Sequence, residues 1–87
     1  MEKLKLPDTE LKVMQTIWRN ETPISTVAIH GELQKERPWN LSALQTLLGR
    51  LVKRGFLTTE KQGKSRYYTP LVTEEDYLAE DSRRYFQ

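Results

Sequence analysis

Cysteine is absent from the sequence, which removes disulfides, thiolate metal sites and cysteine nucleophiles from consideration. There is a single histidine, His30, with no carboxylates grouped around it, so no metal site is expected and His30 is read as structural. No Gly-rich phosphate loop and no Ser/His/Asp set is present, so neither an enzyme nor a cofactor is expected. The densest acidic run, Glu74, Glu75, Asp76, Glu80 and Asp81, reads as helix-start and solvated-face charge rather than as a cation site. No window approaches the roughly 18 apolar residues of a membrane span. The opening segment MEKLKLPDTE lacks the apolar core of a signal peptide, because lysines interrupt its leucines and a proline comes next. The expectation is a cytoplasmic chain with no membrane partner.

What is present fits one small domain. A chain of 87 residues buries only roughly 60 to 65% of its unfolded surface, so the core must be compact. The net charge of +2 conceals a strong asymmetry along the chain. Residues 1–40 carry six basic and six acidic side chains. Residues 41–70 carry Arg50, Lys53, Arg54, Lys61, Lys64 and Arg66 against Glu60 alone, a net charge of +5, and residues 71–87 carry a net charge of −3. One surface is therefore expected to attract polyanions while another does not.

Periodicity orders the chain. Leu11, Met14, Ile17 and Trp18 recur at helical spacing and predict a first helix over residues 9–20, with Asp8 as its N-cap. Trp18 lies on the apolar stripe and is assigned to packing. Ile24-Ser25 reads as a short extended piece leading to a second N-cap. A second helix is predicted over residues 26–36, with Ile29 and Leu33 as a narrow apolar stripe. Arg37-Pro38-Trp39-Asn40 is a turn in which Pro38 disfavours helical geometry at Arg37 and Asn40 can cap the next helix. Trp39 has two readings: packing under the third helix, or lying near a sugar-phosphate backbone with its indole N–H open to a phosphate.

The third helix starts at Leu41, with Leu44, Leu47, Leu48, Leu51 and Val52 on one arc, and ends at Gly55, a residue tolerant of positive φ. FLTTEKQ and SRYYTPLV then flank Gly63 and predict a two-stranded hairpin with its turn at residues 62–64. Thr73-Glu74-Glu75-Asp76 resembles a capping box and opens a final helix carrying Tyr77, Leu78 and the pair Tyr85-Phe86. The fold class expected is mainly α with a small β hairpin (α+β): a winged helix-turn-helix of three helices, a wing and a C-terminal helix.

Placing the leucines of the third helix inward leaves Ser42, Thr46, Gly49, Arg50 and Lys53 facing out, with Ala43 and Gln45 on the flanks. That face is small, polar and basic, as a helix needs to be to enter a DNA major groove about 12 Å wide. Arg50 can grip guanine with two bonds, Ala43 can touch a thymine methyl, and Gln45 can read an adenine edge or touch backbone. An ordinary solvated helix also carries Ser, Arg and Lys. The hairpin shifts the balance, because Lys61, Lys64 and Arg66 cluster at its tip, where they can reach phosphates or a minor groove beside a docked helix. A winged helix used only for protein assembly is the alternative, since fold alone does not decide function.

The segment WNLSALQTLLGRLVKRGFLTTEKQGKSRYYTPLV, with LKVMQTIW in the first helix, resembles the penicillinase and methicillin-resistance repressors and the related copper-transport repressors. The most specific positions are Trp39, Gln45-Thr46, Leu48, Arg50-Leu51, Lys53 to Gly55 and Tyr68-Thr69-Pro70. The resemblance implies a repressor acting as a homodimer on a palindromic double-stranded DNA operator, with recognition residues at Ser42, Ala43, Thr46 and Arg50 and a wing around Gly63. Family members usually carry Thr near the position of Ala43, so one hydroxyl contact would be missing here. It further implies that residues 1–72 form the DNA-binding domain and residues 73–87 begin a helical dimerisation region. On that basis the chain as given is expected to be a monomer or weak dimer. Inducer control, by lactam-signalled proteolysis or by copper, would reside in the part beyond.

Overall fold

The computed structural model describes the backbone of residues 5–85 and the side chains of residues 5–79. The elements run α1 (Asp8–Trp18), β1 (Ile24–Ser25), α2 (Thr26–Gln34), α3 (Leu41–Lys53), β2 (Leu57–Gln62), β3 (Ser65–Pro70) and α4 (Glu74–Tyr85). The apolar stripes of the first three helices turn to a common centre. Val13, Met14 and Ile17 of α1, Ile29 and Leu33 of α2, and Leu44, Leu48 and Leu51 of α3 are buried there together with Phe56, Leu57 and Tyr68. Apolar burial of this kind is the main favourable term in a domain this small.

Local chemistry sets the element ends. Ser25 caps α2 by accepting the Ala28 N–H through its hydroxyl at 3.1 Å, and Asn40 caps α3 by accepting the Ala43 N–H through Oδ1 at 3.0 Å. At the other end of α3 the Gly55 N–H donates to the Val52 carbonyl and the Phe56 N–H to the Leu51 carbonyl, with Gly55 at φ +84°. This is the Schellman arrangement, which needs the left-handed conformation glycine adopts most easily. Thr73 Oγ1 accepts the Asp76 N–H at 3.0 Å, one half of the capping box anticipated for α4. The pair Tyr85-Phe86 and the acids Glu80 and Asp81 have side chains outside the described residues.

Three expectations need correction. The cap of α1 is Pro7, not Asp8; Asp8 is the first helical residue, and its carboxylate lies in the positive first turn without a side-chain capping bond. The first two helices are also shorter than predicted. α1 stops at Trp18, where Asn20 Nδ2 donates to the Thr16 carbonyl at 2.7 Å, and α2 stops at Gln34, after which the Lys35 and Glu36 amides make tightened bonds to Glu32 and Leu33. Finally, the sheet has three antiparallel strands in the order β1-β3-β2 rather than two. Ile24 pairs with Tyr68 and Ser25 with Tyr67, which makes β3 central. Two residues carry too little pattern to announce a strand; the partner supplies the reason for it.

Three longer-range ties fix the helices around this sheet. Trp18 Nε1 donates to the Val72 carbonyl at 2.8 Å, and the Tyr77 ring lies 5.7 Å from Trp18 and 6.1 Å from Phe56, so the start of α4 closes the core. Packing is thus the role of Trp18, as expected. Arg54, just past α3, approaches the buried Glu10 carboxylate of α1 at 3.7 Å. Lys12 of α1 meets Glu36 at 2.6 Å, and this hydrogen bond and its charge hold the Glu36 carboxyl below the usual carboxylate range, helped by Arg19 and Arg37.

Candidate nucleic-acid interface

On α3, burial separates two faces cleanly. Leu44, Leu48 and Leu51 are fully buried and Leu47 is half-buried, while Ser42, Ala43, Gln45, Thr46, Gly49, Arg50 and Lys53 are exposed or partly exposed. At about 100° per residue, Ser42, Gly49 and Lys53 form the crest of the outer face. The two flanks of the crest border different hollows. Ala43, Thr46 and Arg50 line a cleft of about 430 Å³ against Arg37, Pro38 and Trp39. Gln45 lines a groove of about 200 Å³ shared with Lys64 and Arg66 of the wing. The sequence-predicted residues of helix and hairpin therefore meet across that groove, whereas Lys53 and Lys61 lie outside both hollows.

The hydroxyl of Thr46 donates to the Ser42 carbonyl at 3.1 Å, so its proton is engaged within the helix while the oxygen can still accept. Ser42 keeps its hydroxyl free of such a bond among the described residues. Arg50 and Lys53 occupy the last turn, where the helix dipole favours positive charge.

The wing turns tightly at its tip. Gln62 pairs with Ser65 around Gly63, at φ +61°, and Lys64, which matches the two-residue type II′ pattern with Gly in its first central position. Lys61 is the direct cross-strand partner of Arg66, and strand parity places both on the same sheet face as Tyr68. Like charges set opposite each other are destabilising without an anion to neutralise them. Arg66 is partly anchored: its guanidinium donates to Thr59 Oγ1 at 3.3 Å, and that hydroxyl donates on to the Tyr67 carbonyl at 3.1 Å. Thr26 Oγ1 at the start of α2 donates to the Arg66 carbonyl at 3.4 Å, linking wing and helix.

Ion pairing sharpens the charge asymmetry seen in the sequence. Among the described residues Lys12, Lys35 and Arg54 have carboxylate partners, whereas Arg50, Lys53, Lys61, Lys64 and Arg66 have none. Glu60, the sole acid of that stretch, accepts from Gln62 Nε2 at 3.4 Å. Arg54, although part of the basic segment and itself exposed, thus has a carboxylate neighbour in Glu10 of α1.

Of the two readings of Trp39, packing is the one adopted. Its indole Nε1 is buried without a hydrogen-bond partner, so it is not open to a phosphate. The ring packs against the core with the Arg37 guanidinium 5.0 Å above it, and the Trp39 carbonyl accepts from His30 Nε2 at 2.8 Å. His30 is therefore structural, tying α2 to the turn before α3. Sequence reasoning did not mark Val27 or Leu41, both exposed in the groove beside the wing. Only their apolar type was readable, and that type by itself suggests burial. No described helix is long and apolar enough to cross a membrane.

Three helices, a three-stranded sheet and a basic hairpin beside the third helix define a winged helix-turn-helix protein. The chain belongs to the penicillinase repressor family, whose model matches residues 6–87. It is 39% identical over 74 residues to the penicillinase repressor of Bacillus licheniformis, an alignment spanning 85% of this chain and 57% of that protein. It is 31% identical over 81 residues to the methicillin resistance regulatory protein MecI of Mammaliicoccus sciuri, covering 93% of this chain and 65% of the relative. The chain therefore spans less than two thirds of the length of these relatives. The solution structure of the DNA-binding domain of the repressor BlaI superposes with a TM-score of 0.74 at 40% identity, over 84% of this chain and 88% of that one. The Bacillus licheniformis BlaI monomer in complex with the blaP half-operator gives a TM-score of 0.68 at the same identity and coverage. These names belong to the penicillinase and methicillin-resistance side of the family anticipated from the sequence, a family of repressors rather than catalysts.

Proposed function

We propose that this chain is the DNA-binding part of a transcriptional repressor, docking α3 in the major groove of a double-stranded operator with the β2–β3 wing on the adjacent backbone. The observation that carries this reading is the set of five exposed cations without carboxylate partners on α3 and the wing, two of which, Lys64 and Arg66, share a groove with Gln45 of α3. In it, Ser42, Thr46 and Arg50 address base edges or nearby phosphates, Ala43 and Gln45 flank them, and Lys53, Lys61, Lys64 and Arg66 address the backbone. The similar BlaI structure in complex with the blaP half-operator supports the mode of use.

Residues 1–72 act as the reading unit and residues 73–87 begin the dimerisation region, so that a homodimer of the whole protein covers a palindromic operator and blocks polymerase by occupancy. Such a repressor acts in the cytoplasm, and the named relatives point to antibiotic-resistance genes as its targets. The test is titration of the blaP half-operator and of a random duplex across a salt series. Tighter binding to the half-operator, with log affinity falling linearly in log salt, is expected. Absence of salt-dependent binding to either duplex would leave the protein-assembly alternative in its place.

A further inference from the structure

Among the described residues the large hydrophobic side chains that stand well exposed are Val27, Leu41, Leu71 and Leu78. Leu71 and Leu78 flank and occupy the C-terminal helix. Val27 and Leu41 are elsewhere: they line the groove that Gln45 shares with Lys64 and Arg66. Val27 is 74% exposed and Leu41 44% exposed, each in the first turn of its helix. Helix formation does not ask for them there, since first turns favour acidic residues or proline and β-branched valine is a poor helix former.

Two apolar side chains set beside Thr26, Gln45 and Ser65 in a groove that also holds two cations match a partner that is anionic at its rims and carries a methyl group between them. The DNA major groove has that character: phosphates along both edges and, on the bases, the thymine C5-methyl as its apolar feature. Gln45 lies four residues beyond Leu41, on the same helix face, and an amide side chain can bond adenine N6 and N7. We propose that Leu41, with Val27 lining the same groove, is a specificity-determining residue that packs against a thymine methyl, next to an adenine addressed by Gln45. This rests on the DNA-docking reading and adds a base preference that polar contacts alone would not give.

Deoxyuridine differs from thymidine only by that methyl, which makes the test direct. Binding of the chain to the blaP half-operator duplex is measured alongside duplexes in which each thymidine in turn is replaced by deoxyuridine. Burial of one methyl group is worth ~0.8 kcal/mol, or about fourfold in Kd. At least one replacement is expected to weaken the native chain about fourfold, and Leu41→Ala is expected to bind the unmodified duplex more weakly while no longer sensing that replacement. Leu41→Met, which restores an apolar side chain, should recover the sensitivity. Circular dichroism of each variant checks that the fold is kept. Indifference of the native chain to every replacement overturns the proposal, as does equal sensitivity in Leu41→Ala at every position. Failure of the native chain to bind any unmodified duplex at low salt removes the DNA-docking reading itself, and the proposal with it.

Discussion

Arg50 and Lys64 carry the same charge but differ in what they can do with it. Arg50 sits on the face of α3, on the cleft it shares with Trp39, and its planar guanidinium can form paired bonds to guanine. Lys64 is a flexible point charge at the hairpin tip, suited to a phosphate. Arg50→Ala should cost about 1 to 3 kcal/mol on the half-operator and relax base preference, whereas Lys64→Ala should weaken cognate and random duplexes alike and lower the salt slope by about one unit. Anisotropy titrations at several salt concentrations separate the two; equal effects of both substitutions on both duplexes would refute the assigned roles. Arg54 provides the contrast at this scale. Its approach to buried Glu10 gives it a structural partner, which its neighbours on the outer face lack.

At the scale of elements, the wing holds a conflict that its proposed partner would resolve. Lys61 opposite Arg66 is unfavourable in the free protein, whereas a phosphate between them would be attracted to both. Lys61→Glu turns the pair into an attractive one. It should stabilise the free chain by roughly 0.2 to 1 kcal/mol while weakening duplex binding, and thermal melts paired with titrations would show the opposite signs. A gain in binding would rule out the wing as a phosphate contact.

The tie between Lys12 of α1 and Glu36, two residues past α2, is a separate matter of pH. The Glu36 carboxyl titrates lower in the folded chain because of Lys12, so its stabilising contribution is present above the ordinary carboxylate value of 4.5 and is lost as the pH falls through the folded value. Glu36→Gln should lower Tm at neutral pH, only slightly because the pair is exposed, and converge with the native chain in acid, so that the limb below about pH 4.5 becomes shallower. An unchanged acid limb would show that the pair does not persist in solution.

For the whole molecule, the question is how much one copy can do. A stable protein dimer usually buries about 1,200 to 2,000 Å², and the described part of α4 adds to the surface only Leu71 beside it and Leu78 on it as large exposed apolar groups. Sedimentation of this 87-residue chain at micromolar concentration is therefore expected to show a monomer or weak dimer. Its operator affinity should be correspondingly modest, because two linked half-sites gain from effective concentration and one does not. A tight dimer would mean that the surface of this chain suffices for assembly.

The helices and most of their caps were readable from the sequence because they depend on neighbours within a few residues. Leu44, Leu48 and Leu51 repeat at helical spacing, and Ser25, Asn40 and Gly55 act on amides or carbonyls about three residues away. The outer face of α3 and the basic hairpin tip came from the same local periodicities. Tertiary structure decided what depends on residues distant in the chain. Pairing with β3 made Ile24-Ser25 a strand, Glu10 became a carboxylate neighbour for Arg54, and the His30 and Arg37 contacts settled Trp39 against the core. It also left Val27 and Leu41 exposed in a groove with Lys64 and Arg66. Periodicity reports which face of an element is apolar, but whether that face meets a core or an open groove is set by elements tens of residues away.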